Sequence, residues 1–162
     1  MRYLRVLLYL IAADILSLFV GLTLAGSANP LIRVISALCG AGIMLCLMAN
    51  LALKAAAVDL KDERRSGTKT SLLLPAGMTV TALTVPLASW LVLRIGRFDF
   101  YRWHKLVNGW FIQLYNMIQP DASSAALTSG QIWAMLPLAF APAAVFAVFY
   151  VLGYRGVICL EK

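Results

Sequence analysis

Asp14 is the residue whose position most invites chemistry. It stands about ten residues into an apolar run over residues 4–25, which as a helix rising about 1.5 Å per residue carries it close to the middle of a bilayer. A carboxylate at that depth is costly unless it is paired, hydrated or protonated. Two roles fit. One is a proton or cation site, or an anchor for a substrate; the other is a hydrogen bond to Ser, Thr or Asn on a neighbouring helix. No basic residue lies at matching depth: Arg33 and Lys54 each sit about ten residues from the middle of the second apolar run. An acid with no basic partner in its own chain could find one in another subunit.

The second run carries Cys39, Gly42, Cys46, Ala49 and Asn50 along one stripe, with Ala37 and Ala41 on another. Small residues let helices approach closely, and Asn can bond across the contact, so the stripe is read as a packing face. Cys39 and Cys46 would lie roughly 10 Å apart along a helix, too far for a disulfide. Cys159 lies in the tail. The third run holds Thr81, Thr84, Ser89 and an interior Pro86, which frees the carbonyl of Ala82. Such broken helices line polar paths, and Asp14, Asn50, Thr81, Thr84 and Pro86 form the expected intramembrane polar site.

His104 is the single histidine, in Tyr101-Arg102-Trp103-His104-Lys105. One histidine makes no structural metal site, and no Cys-x-x-Cys or His/Cys cluster occurs, so no metal and no cofactor are expected. Arg102, Trp103, His104, Lys105 and Trp110 are read as an anchor at lipid headgroups. Nucleophile elbows, zinc-protease motifs and phosphate-binding glycine loops are all missing from the sequence. Asp99 and Asp121 fall too far from Asp14 in the expected topology to pair with it. Catalysis is the least favoured of the readings, behind assembly and scaffolding.

Positioning these residues falls to four apolar runs, at 4–25, 31–58, 70–93 and 131–154. Each meets the roughly 20 residues needed to cross about 30 Å of hydrocarbon as a helix. The first is longer than a signal-peptide core and carries Asp14, so it is expected to remain as a span. The charged stretch 59–69 is expected to be a cytoplasmic loop. Between the third and fourth runs, Trp103, Val107, Trp110, Leu114 and Ile118 recur at steps of three and four. That period predicts an amphipathic helix over 100–118 lying in the outer headgroup layer, with Arg102, Lys105, Asn108, Gln113 and Asn116 on its polar face.

Composition agrees. Of 162 residues 62% are hydrophobic and 13% charged, against about half and about one quarter in ordinary soluble domains. A soluble domain this small has no room to bury so much apolar surface. The net charge of +7 sits beside the apolar runs, where it meets lipid phosphate; no basic face stands clear for nucleic acid. Nine Lys and Arg fall on the side of the N-terminus and five on the other, which favours both termini in the cytoplasm. Short loops and no outer Asn-x-Ser/Thr acceptor point to a bacterial inner membrane.

The sequence thus predicts an all-α integral membrane protein of four spans plus one interfacial helix, in a single domain over residues 1–162. Its partners are expected to be the bilayer and either further copies or other membrane subunits. A non-enzymatic subunit of a transport or translocation assembly is the first reading. A structural or regulatory scaffold is the second, and a small intramembrane enzyme the third.

Overall fold

A computed structural model describes residues 2–25, 29–69, 71–96 and 99–158. Of the residues bearing on orientation and cysteine chemistry, Arg97, Cys159 and Lys162 lie outside them, as does Thr70, the expected start of the third span. Every element among the described residues is helical. The long helices are α1 (Arg2–Ala25), α2 (Pro30–Ser66), α3 (Leu73–Ile95) and α6 (Ser129–Tyr154). Each is long and apolar enough to cross a membrane.

Local signals set the ends. Pro30 starts α2 behind Asn29, whose side chain accepts from Leu31 N, since proline lacks the N–H that a first turn leaves unpaired. Gly67, in the left-handed conformation, stops α2 with its N–H on Glu63 O. Thr128 and Gln131 form a reciprocal cap at the head of α6. The charged stretch expected as a loop is helical as far as Ser66. Its Lys, Glu and Arg are good helix formers, and nothing in it breaks the helix before Gly67.

Neighbours in the bundle run α1 to α2, α2 to α6, α6 to α3 and α3 back to α1. The closest approaches use small residues. Gly77 faces the Tyr3 ring, and Gly153 lies against Leu53 and Ala56. At one end, Arg2 pairs with buried Asp59, which also accepts from Tyr150 Oη at 2.9 Å. Tyr154 Oη donates to Glu63 at 2.5 Å. These bonds tie α1 and α6 to the charged turns of α2.

The helix predicted over 100–118 is not continuous. It is a hairpin: α4 (Tyr101–Val107), a 3-10 turn (Gly109–Phe111) and α5 (Ile112–Ile118). The turn packs on α1 and α2, α4 on α3, and α5 on α2. Trp110, Tyr101 and Tyr115 are among the largest fully buried side chains. Most of the expected polar face is not solvated either: Lys105, Asn108 and Gln113 are buried and Asn116 is half-buried, while Arg102 is exposed. The helix breaks at Asn108-Gly109, where a weak helix former precedes the weakest after proline. What the break costs in helical bonds is offset by hydrogen bonds to α1 and α3.

Candidate functional site

The hairpin brings its turn to the middle of α1. Gly109 N–H donates to Asp14 Oδ1 at 2.6 Å, roughly 16 Å along the helix from its Ala25 end. Gly109 begins the 3-10 turn, so its N–H has no helical acceptor of its own. Asp14 supplies that acceptor from another helix. Glycine is required here by space: a Cβ at 109 would lie 2.4 Å from Leu18 Cγ and 2.9 Å from Asp14 Oδ1. Gly40 makes the matching concession on α2, where a Cβ would meet Trp110 O at 2.8 Å. Ser17 Oγ donates to Gly40 O at 3.2 Å, joining α1 and α2 directly below the turn.

A second polar group sits beside the turn, on α3 and α4. Ser89 Oγ lies 3.0 Å from Pro86 O, 3.0 Å from His104 Nδ1 and 2.8 Å from Asn108 Nδ2. Asn108 Nδ2 also donates to His104 O at 3.0 Å. One assignment uses every group: Asn108 and His104 Nδ1–H donate to Ser89 Oγ, and Ser89 donates its proton to Pro86 O. Nε2 of His104 then carries a bare lone pair, and it is buried without a partner among the described residues. Trp110 Nε1 is a buried donor likewise without a partner.

Lys105 closes the open end of the hairpin. Its ammonium shares three N–H groups among four acceptors: Asn116 Oδ1 at 2.9 Å and the carbonyls of Gln119, Pro120 and Asp121 at 2.9, 3.3 and 3.0 Å. It also lies 4.3 Å from the centre of the Tyr101 ring. Positive charge at the carbonyl end of α5 opposes the helix dipole favourably. Burial lowers the Lys105 pKa, and the Asp121 carboxylate works against that.

The remaining residues of the predicted site fall elsewhere. Thr81 and Thr84 bond to the carbonyls of Gly77 and Val80 in their own helix, and Thr84 is exposed. Neither is brought to Asp14, because a threonine four residues after a carbonyl satisfies itself locally. Pro86 is buried next to Ser89. Asn50 is half-buried on α2, and its side chain makes no hydrogen bond with a described residue. On the small-residue stripe, Ala49 is buried, but Cys39 and Cys46 are exposed and a Cβ at Gly42 would meet nothing within 4 Å. Within one copy α2 packs instead through Ser36, Gly40, Met44 and Met48. Among the residues read as an anchor, Arg102 and Trp103 are exposed, whereas His104, Lys105 and Trp110 are buried.

Sequence reasoning passed over Gly40, Ser89, Asn108 and Gly109 as site residues. Asn-Gly is a turn dipeptide and was the available signal for the last two. Among the described residues no group of three or more His, Cys, Asp or Glu could hold a metal ion. No protein-family model matches the chain, and no curated protein or solved structure matches it either.

Proposed function

We propose that the chain is a multi-pass protein of a cell membrane, with both termini cytoplasmic, and a non-enzymatic subunit of a transport or translocation assembly. In this reading the hairpin is re-entrant: it enters from the outer side and turns back at mid-bilayer. Arg102 and Trp103 reach the outer headgroups. Asp14, with the Ser89, His104 and Asn108 group nearby, supplies the polar centre at a path or at a subunit seam.

The observation that carries this is Asp14 itself. Holding one backbone N–H needs only an acceptor, and an amide or hydroxyl would serve without a carboxylate's cost of about 2.5–3.5 kcal/mol at a helix centre. The side chain is also only half-buried, so part of the carboxyl faces outward beside exposed Ile11 and Ile15. A partly uncovered acid at that depth fits a proton, a cation or a group from another subunit. One feature favours a scaffold as the second reading: the bond from Gly109 is what a purely architectural acid would make.

Solubilisation in mild detergent, with mass measured by light scattering and the chains identified by mass spectrometry, tests the subunit reading. It predicts particles heavier than one 17.7 kDa chain that contain further copies or other chains. A monodisperse single chain overturns it. Asp14→Asn keeps the acceptor but loses the proton. It is expected to retain the assembly and abolish proton flux of the reconstituted complex, read with a trapped pH dye. Intact flux in Asp14→Asn, with assembly lost in Asp14→Leu, establishes the scaffold instead.

A further inference from the structure

We propose that the recess between α1, α2 and α3 at the Arg2 end of the bundle binds one anionic phospholipid. Its phosphodiester sits between Arg5 and Lys54, with an acyl chain against the apolar wall next to them. The proposal rests on the membrane reading above. The recess measures about 390 Å³, and its charged lining is wholly basic: Arg2, Arg5 and Lys54. Arg2 is engaged by Asp59 and Asp62. Arg5 and Lys54 are exposed and make no hydrogen bond or ion pair with any described residue.

Register explains why two free cations meet there. α1 and α2 are antiparallel, with Arg2 joined to Asp59 and Ser17 to Gly40. Arg5 therefore stands level with Lys54. About one turn nearer the middle of the bundle, Tyr9 stands level with Leu51. Leu51, Ala55, Val58 and Met78 supply the wall. A positive rim above an apolar wall has the polarity of a phospholipid. A free anion would leave the wall uncovered, and a zwitterionic headgroup would bring its own cation against two others. Lys61, Arg64 and Arg65 lie further along α2, past the recess. Basic pockets between helices on the cytoplasmic side recognise anionic headgroups in this way.

Native mass spectrometry of the detergent-solubilised chain tests the site, with titration of dioleoylphosphatidylglycerol, dioleoylphosphatidylcholine and inorganic phosphate. Phosphatidylglycerol is expected to bind at one site, at least about tenfold tighter than phosphatidylcholine, and phosphate alone not to bind. R5Q/K54Q should weaken phosphatidylglycerol roughly thirtyfold, from two charges at the membrane surface, and leave phosphatidylcholine unchanged. A55F keeps both charges but fills the wall, and should lower the affinity for phosphatidylglycerol. Equal binding of the two lipids, unchanged affinity in R5Q/K54Q, or phosphate binding as tightly as lipid overturns the site. If R5Q/K54Q does not fold, A55F decides, and unchanged lipid affinity there overturns it. Wild-type chain monodisperse in detergent-free buffer would instead refute the membrane reading. A detergent-dependent chain that treats both lipids alike refutes only the lipid site.

Discussion

Two glycines two residues apart on α2 give a direct test of whether the hairpin turn sits where its backbone requires. Gly40→Ala and Gly42→Ala make the same change in the same helix, so the gain in helix propensity, about 1 kcal/mol, is common to both. The surroundings differ. At Gly42 the new methyl meets nothing within 4 Å, whereas at Gly40 it would lie 2.8 Å from Trp110 O and 3.4 Å from Trp110 C. Carbon to carbonyl-oxygen contacts settle near 3.3–3.6 Å, so the turn must retreat by about 0.5 Å. A side chain could rotate aside, but a carbonyl in a turn clamped by Asp14 moves only with its backbone. Overpacking of that kind costs about 1–3 kcal/mol. Gly42→Ala is therefore expected to be stabilised by about 1 kcal/mol, and Gly40→Ala to be neutral or destabilised by up to about 2 kcal/mol. Reversible unfolding of both variants in mixed micelles with rising dodecyl sulfate, followed by far-UV circular dichroism, measures the gap. Equal stabilities, or a more stable Gly40→Ala, would refute the close approach of the turn to α2.

A further outcome concerns the mouth of the hairpin. Lys105→Met removes the shared donor from Asn116 and from the carbonyls of Pro120 and Asp121, while Tyr101 Oη still serves that of Gln119, and should cost about 1–3 kcal/mol. It should also open the segment after α5 to thermolysin, and unchanged protection would show that Lys105 does not hold the mouth.

The four long helices were legible because their signal is additive. Some 20 apolar residues in a row speak for a spanning helix whatever their neighbours do, and Asn29-Pro30 and Gly67 punctuate the second one. The hairpin was not legible, because the same residues satisfy two periodic patterns. Trp103, Val107, Trp110, Leu114 and Ile118 fall on one face of a straight helix, yet the structure buries Trp110 and exposes Trp103. Amphipathicity marks which residues share a face and says nothing of whether the polar face meets water or protein. Lys105 and Asn108 find their partners inside the fold, in carbonyls at 119–121 and in Ser89. Small residues misled for a similar reason. Gly42 and Gly40 are equivalent by composition, and only the approach of Trp110 distinguishes them.

Asp14 and the break in the hairpin are two halves of one device. A helix interrupted at Asn108 exposes an N–H at Gly109, and in an apolar interior an unpaired N–H is costly. An acid in the middle of α1 is costly for the same reason. Their 2.6 Å bond offsets part of both costs, and Gly40 and Gly109 remove the Cβ atoms that would hold the pieces apart. The sequence shows the acid as an anomaly in one run and the Asn-Gly pair as a blemish in another, 95 positions away. Neither alone implies the other. Removing the acceptor should therefore strand the donor: Asp14→Leu is expected to be about 1–3 kcal/mol less stable than Asp14→Asn, which keeps an oxygen for the Gly109 N–H, and equal stabilities of the two variants in mixed-micelle unfolding would dissolve the link.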